Sequence, residues 1–210
     1  IDFGFIQGRM SSTPSKKILQ YFPKKNWKKE FQYAKKYNFT FIEYFGERNL
    51  NKNNPIWNQR KLEEINNLVK KNNLINYSFC DDYFINNNLI NYKNFHEYYN
   101  NIIKNLSVIN IKIYILALFE KSLISKKNFK KFVQRLKDLA DKLKVKKIKL
   151  ALETNLDSKS INSLIKLINR NNVSIVYRGN IVKIIGSKKA VEDTKITLTK
   201  LFEEAKNGQE

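Results

Sequence analysis

Acidic side chains stand at the ends of apolar runs in this sequence, where their type and spacing suggest chemistry. The stretch KLALETN (149–155) is apolar up to Glu153 and then turns polar. A carboxylate that closes a buried strand either has no role or is a ligand. Asp81 and Asp82 follow another apolar run, where they could bind a cation or orient a substrate hydroxyl. A solvated loop or a helix cap are the structural alternatives for these two aspartates.

The composition predicts a folded, cytoplasmic chain. Its 210 residues are enough for one sizeable core and an appended module, and 42% of them are hydrophobic. A single cysteine, Cys80, excludes an intramolecular disulfide and favours a reducing compartment. No apolar run approaches the roughly 20 residues of a membrane span, so no membrane partner is expected. The single histidine, His96, falls within a helical stretch and is interpreted as a surface or packing residue.

The net charge of +21 is typical of proteins that bind nucleic acid, but its distribution favours another interpretation. Lysines are spread over every predicted helix up to about residue 180, and the charge of 181–210 is nearly balanced. This pattern indicates solvated, lysine-rich helix faces. Non-specific adhesion to polyanions is expected from the charge alone.

Short β-branched and aromatic runs alternate with amphipathic helical stretches. The predicted strands are 2–8, 40–45, 75–80, 111–118, 148–153 and 173–177. Apolar residues recur at helical spacing between them, as in Phe95, Tyr98, Tyr99 and Ile102. Strict strand–helix alternation with strongly apolar strands predicts a parallel sheet covered by helices.

The spacing of these units favours a barrel. They recur about every 30 residues, the repeat length of a (β/α)₈ barrel. An open doubly wound sheet is the alternative, but no G-x-G-x-x-G motif occurs. We therefore predict an α/β, TIM-barrel-like fold that is incomplete, with about six βα units plus one C-terminal βα unit in 181–210. The open sheet edge that this implies leaves room for a homo-oligomer.

Motifs at the predicted strand ends resemble one known family. They are, in order, FIQGRM, QYFP, W-x-x-E-F, FIEY, NPI, SFCDDYF, LFEKS and LALETNL. Together they resemble the sugar-phosphate isomerase/epimerase family, the xylose isomerase-like TIM barrels, over residues 1–177.

The resemblance implies a divalent metal (Mn, Mg, Co or Zn) at the carboxyl-terminal mouth of the barrel. The metal would polarise a sugar's carbonyl and hydroxyl while carboxylates move a proton through an enediolate. Glu153 matches the first metal ligand and is the implied catalytic residue, and Glu43 matches a position that faces the substrate. Arg178 stands where the second ligand is expected, and the strands carrying the other two have no counterpart. With one implied ligand of four, we expect the chain alone not to hold the metal.

Other polar residues near strand ends are candidates for contacting a sugar or sugar phosphate. Gln7 and Arg9 could bind a hydroxyl or a phosphate, or could serve the loop structurally. Asp82 is predicted to contact the substrate, because it could orient a substrate hydroxyl. Glu120 lies at the mouth or, with Lys121, forms a surface ion pair of little energetic weight.

From about Val173 the sequence resembles the KH-like N-terminal segment of PhoH-type proteins. The R-G-N turn, a second strand ending in glycine and a helix carry this resemblance, but the nucleic-acid-gripping GxxG loop is missing. The predicted domains are therefore 1–177, a partial barrel, and 178–210, a KH-like tail.

The resulting hypothesis is a protein of carbohydrate metabolism. By descent it would be a metal-dependent aldose–ketose isomerase or epimerase, impaired by its missing ligands. The alternatives are a nucleic-acid-associated KH-like module and an inactive truncated or fused product. Whether the chain acts as an enzyme stays open at this level.

Overall fold

The computed structural model describes residues 3–12, 21–168 and 173–177. The chain divides into two units, Ile1–Val176 and Tyr177–Glu210. The predicted KH-like tail, its 181–210 strand and helix and Arg178 lie outside the described residues, so these assignments stay predictions. None of the described helices is long and apolar enough to cross a membrane.

Six strands form one sheet in sequential order, and the first five are parallel to one another. The strands are β1 (Gly4–Ile6), β2 (Phe41–Gly46), β3 (Ser78–Asp81), β4 (Ile113–Leu118), β5 (Lys149–Thr154) and β6 (Val173–Tyr177). The helices are α1 (Trp27–Lys36), α2 (Gln59–Lys71), α3 (Tyr83–Asn86), α4 (Phe95–Val108), α5 (Phe129–Val145) and α6 (Ser158–Ile168). All six predicted strands are confirmed, and no boundary differs from its predicted position by more than three residues. A doubly wound sheet would reverse its strand order partway, so the sequential order supports the incomplete barrel.

Register places alternate strand residues on two faces. Tyr44 of β2 lies opposite Phe79 of β3, which lies opposite Tyr114 of β4, and all three side chains are buried. These rings face the helix layer, where Tyr99 of α4 contacts Tyr114 at 6.0 Å between ring centroids. The other face carries Glu43, Ser78, Cys80 and Glu153, because side chains alternate along each strand.

The core lies between the sheet and the helices. Each long helix contributes one buried stripe, which includes Phe31 and Ala34 in α1, Leu62 and Ile65 in α2, Ile102 and Leu106 in α4, and Leu136 and Leu143 in α5. The aromatic helix α4 packs into this core, as its spacing predicts. His96 of the same helix is exposed. Burial of these stripes, rather than helix propensity, stabilises the helices against the sheet.

Four helices end in the same way and so enter the following strand at the same angle. Residues with positive φ follow α1, α2, α4 and α5, namely Asn38, Asn73, Asn110 and Lys147. The next residue then donates its N–H to the carbonyl five positions back, as in Phe39 to Ala34 O at 2.9 Å and Ile148 to Leu143 O at 3.0 Å. This is the Schellman arrangement, which satisfies the last helical carbonyls. Its apolar residue points into the core and starts the chain towards the next strand.

Candidate functional site

Acidic side chains from β2, β3 and β5 lie on one face of the sheet, and two of them stand at its carboxyl-terminal edge. Glu43 lies in β2, Asp82 directly follows β3 and Glu153 lies near the end of β5. Asp82 and Glu153 are 6% and 4% exposed. Parallel strands end at the same edge, which in this architecture is where ligands bind. We refer to this edge, with the loops that follow β1 to β5, as the mouth.

The thiol of Cys80 joins two of these carboxylates. Its Sγ lies 3.7 Å from Asp82 Oδ1 and 4.0 Å from Glu153 Oε2. The contact from β3 to β5 passes over β4, where the small Ala117 lies opposite Glu153. Burial, followed by the charges of Asp82, Glu43 and Glu153, raises the pKa of Cys80 well above its usual range. The thiol therefore stays protonated and donates weakly to both carboxylates.

Glu43 is oriented from the neighbouring strand. Ser78 Oγ of β3 donates a 2.7 Å hydrogen bond to Glu43 Oε2. Ser78 is buried, and sequence reasoning had not singled it out. Its position opposite Glu43 depends on the β2–β3 register, which no local motif specifies.

Asp81 faces the helix layer instead of the mouth. Its carboxylate accepts hydrogen bonds from the hydroxyls of Tyr98 and Tyr114 and, at 3.0 Å, from the backbone N–H of Tyr83. The solvated-loop interpretation is wrong for Asp81, because the residue is fully buried. Asp82 is the N-cap residue of α3 and makes no side-chain cap hydrogen bond, while Asp81, one residue earlier, accepts from the first helical N–H, that of Tyr83. Burial raises the pKa of Asp81 to about 7, although these donors oppose the shift.

Gln7 and Arg9 lie in the turn that follows β1. Gln7 is 1% exposed, and its backbone N–H donates to Glu43 O at 2.9 Å. Its side-chain nitrogen has no hydrogen-bond acceptor within the described part of the chain. Arg9 is exposed. Gln7 therefore stands at the carboxyl end of β1 beside the backbone of Glu43, and Arg9 lies two residues further along the turn.

Glu120 lies on the rim of the mouth and forms a surface ion pair. Its partner is Arg48, at 2.8 Å, rather than the neighbouring Lys121. Both side chains are about half exposed, 49% for Arg48 and 57% for Glu120. The pair links the loop after β2 to the loop after β4, with little stabilisation expected from it alone.

The arrangement of the acidic, thiol and imidazole side chains shows whether they could hold a metal ion. Within residues 3–12, 21–168 and 173–177, no group of three His, Cys, Asp or Glu side chains is arranged to hold a metal ion. The described residues thus do not form a complete metal site, and Glu153 offers at most one ligand.

A buried glutamate outside the strands also reaches the mouth. Glu30 of α1 is 0% exposed and accepts hydrogen bonds from residues of the turn after β1. It is the glutamate of the W-x-x-E-F motif, which had contributed only to the family resemblance. The signal in the sequence that could have identified it is a lone acidic residue on the apolar face of a predicted helix.

Comparison with known proteins agrees with this architecture. The family model described as the xylose isomerase-like TIM barrel matches residues 31–178. This chain belongs to that family, which confirms the first of the two resemblances.

Solved structures share the fold at low sequence identity. A D-psicose 3-epimerase crystallised in the presence of D-fructose superposes with a TM-score of 0.62 at 14% identity, covering 84% of this chain and 63% of that one. A sugar phosphate isomerase/epimerase from Parabacteroides distasonis gives a TM-score of 0.58 at 9% identity, covering 84% and 64%. A family protein from Mycobacterium smegmatis in complex with magnesium gives 0.52 at 14% identity, covering 73% and 56%.

The chain spans less than two thirds of the length of each of these three proteins. No curated protein sequence matches it. The identities are low enough that the structural likeness establishes the fold alone.

Proposed function

We propose that the mouth binds a sugar or sugar phosphate and that the protein is an isomerase or epimerase by descent. The observation that carries the proposal is the convergence of Asp82 and Glu153 on the Cys80 thiol, with Glu43 on the same face. Several acceptor oxygens at one strand edge suit a polyhydroxylated ligand, whose hydroxyls donate in a fixed pattern. The solved structures named for sugar substrates have the same fold, and this supports a sugar as the class of ligand.

In this proposal each residue has a distinct role. Glu153 would accept a proton from the carbon next to the sugar carbonyl or from the adjoining hydroxyl. Asp82 and Glu43 would accept hydroxyl hydrogen bonds, with Ser78 holding Glu43 and Cys80 holding the other two carboxylates in place. Gln7 and Glu120 would contact hydroxyls of the ligand from the rim, and Arg9 would contact its phosphate where the ligand carries one. Buried carboxylates in low-dielectric surroundings make stronger hydrogen bonds than solvated ones.

We further propose that turnover by the 210-residue chain alone is impaired. The family's chemistry uses a divalent cation as the Lewis acid, and the described residues offer it one ligand, Glu153, where a catalytic site needs about three. Without that charge, an enediolate would be stabilised only by hydrogen bonds.

The test separates binding from turnover. Ligand-observed NMR should detect D-fructose or D-fructose 6-phosphate binding to the wild-type chain, and Glu153→Gln should weaken it. Deuterium exchange at the carbon next to the carbonyl, followed with Mn²⁺, Mg²⁺ or Co²⁺, should stay at background. The exposed Glu97→Gln serves as the matched control.

Two outcomes would count against the proposal. Absence of any sugar binding to the wild type would refute the ligand assignment. Metal-dependent exchange that Glu153→Gln abolishes would refute the impairment and show that the remaining ligands are supplied from elsewhere.

A further inference from the structure

Glu30 makes a dense set of hydrogen bonds to the turn after β1. Both carboxylate oxygens lie 3.0 Å from the backbone nitrogen of Gly8. Ser11 Oγ donates to Oε1, also at 3.0 Å. The side chain is 0% exposed, so these donors replace the water that the carboxylate gave up on folding. A helix residue thus holds the turn at two points, one on each side of Arg9.

The same turn is held from a second direction. Gly8 has a φ of +94°, and a β-carbon built there would lie 2.3 Å from Tyr21 O. The Tyr21 hydroxyl donates to Ser12 O, and Arg9 N–H donates to Ile6 O at 3.1 Å. The backbone from Gln7 to Ser12 is therefore tied to β1, to α1 and to Tyr21. Arg9 is the exposed residue in the middle of this fixed turn.

The charge of the mouth indicates what Arg9 would contact. Glu43, Asp82 and Glu153 make the strand ends acidic, which disfavours an anionic group among them. A phosphate would instead be bound at the rim, where the guanidinium of Arg9 offers the planar donor fork that pairs with phosphate oxygens. A side chain with that many rotamers binds more tightly when its backbone is fixed in advance.

We propose that Glu30 is a positioning residue, which holds the Gly8–Ser11 turn so that Arg9 binds the phosphate of a sugar phosphate at the rim of the mouth. This inference rests on the proposed function and deepens it, since it selects phosphorylated over neutral sugars. It also assigns a task to the glutamate of the W-x-x-E-F motif.

The first experiment tests the hydrogen bonds without any ligand. In ¹H–¹⁵N spectra, the Gly8 amide should be shifted downfield in the wild type, as expected of an N–H that donates to a carboxylate. Glu30→Gln should move this resonance upfield, while Glu97→Gln, the exposed first-turn glutamate of α4, should leave it in place. A Gly8 resonance that does not move in Glu30→Gln would overturn the proposal at this step.

The second experiment tests positioning. D-fructose 6-phosphate should bind about tenfold more weakly to Arg9→Ala, the size of one charged hydrogen bond, and several-fold more weakly to Glu30→Gln. Because Glu30 acts through Arg9, the double variant should be no weaker than Arg9→Ala alone. D-fructose, which lacks the phosphate, should bind equally to all these variants.

The outcomes distinguish this inference from the function on which it rests. If the wild type binds D-fructose but shows no preference for the phosphorylated sugar, the role of Arg9 is wrong and the sugar site stands. If the effects of Glu30→Gln and Arg9→Ala simply add, Glu30 is a structural residue and does not position Arg9. If the wild type binds neither sugar, the proposed function fails, and the positioning role falls with it even when the Gly8 shift is as expected.

Discussion

At the scale of single residues, two adjacent aspartates have opposite environments. Asp82 lies at the mouth beside Cys80, whereas Asp81 is enclosed by three tyrosines of α3, α4 and β4. Since neighbouring residues along an extended chain point to opposite faces, a single peptide bond separates a carboxylate at the mouth from one in the helix layer. A buried carboxyl with its pKa near 7 makes the fold sensitive to pH.

The stability of the protein should fall as Asp81 ionises. Its folded-state pKa of about 7 lies above the ordinary value of 3.8, so between these values the folded chain holds a proton that the unfolded chain releases. Asp81 therefore contributes stability that is fully present below about pH 4 and is lost as pH rises through about 7, with a slope near 1.4 kcal/mol per pH unit. The measurement is urea unfolding from pH 4 to 8 for the wild type and Asp81→Asn.

The difference between the two proteins isolates this residue from other titrating groups. Wild-type stability should fall relative to Asp81→Asn across that range, because asparagine carries no titrating proton. The exposed Asp141→Asn of α5 should follow the wild-type profile. Parallel profiles for wild type and Asp81→Asn would show that Asp81 is already ionised in the folded chain at pH 4.

At the scale of elements, four helices end with a residue in the left-handed conformation, followed by an apolar residue. Asn occupies the left-handed position after α1, α2 and α4, whereas Lys147 occupies it after α5. Asn tolerates that conformation better than residues with longer side chains, and Gly tolerates it best. The recurring Asn followed by an apolar residue is a sequence signal for the start of the next strand.

Lys147→Gly should stabilise the protein. Its φ of +57° strains a side chain that has a β-carbon, and its backbone donates to Lys144 O at 2.9 Å whatever the side chain is. We expect a gain of roughly 0.5–1 kcal/mol in the free energy of unfolding. Asn38→Gly, at the equivalent position after α1, should gain less and is the control. Equal or lower stability of Lys147→Gly in urea titrations would contradict this account of the helix end.

At the scale of the whole molecule, the positively charged lysines and the acidic mouth lie in different places. The net charge of +21 includes lysines on the exposed faces of several helices, while the mouth is acidic. Long-range attraction to polyanions and local recognition of a ligand therefore arise from different parts of the surface. This separation supports the interpretation of the lysines as solvated helix faces rather than a nucleic-acid site.

Adhesion to polyanions should be weak, non-specific and sensitive to salt. The chain should be retained on immobilised heparin at about 50 mM salt and released below roughly 0.5 M, because each neutralised phosphate or sulfate releases a counterion on binding. RNA and DNA of unrelated sequence should compete equally. Preference for one RNA sequence that persists at high salt would contradict this and favour the KH-like alternative for the tail.

The sequence by itself determined the order and type of the elements. Runs of β-branched and aromatic residues alternate with helical stripes, and this periodicity is local, so it could be read without knowing any contact. It also located Asp82 and Glu153 at strand ends, since a strand ends where its apolar run ends, whereas Glu43 lies inside β2. The ordered motifs were sufficient for the family, because each lies within a few residues of the chain.

Tertiary structure alone decided which of these side chains meet. The contacts that decide this join residues far apart in sequence. Cys80 reaches Glu153 over Ala117, and Ser78 orients Glu43. Glu30 holds the turn around Arg9. They depend on strand register and on how α1 packs, and a shift of register by one residue would exchange the two faces of a strand. Asp81 and Asp82 were indistinguishable in the sequence for that reason: identical neighbours differ in function only once the sheet gives each a face.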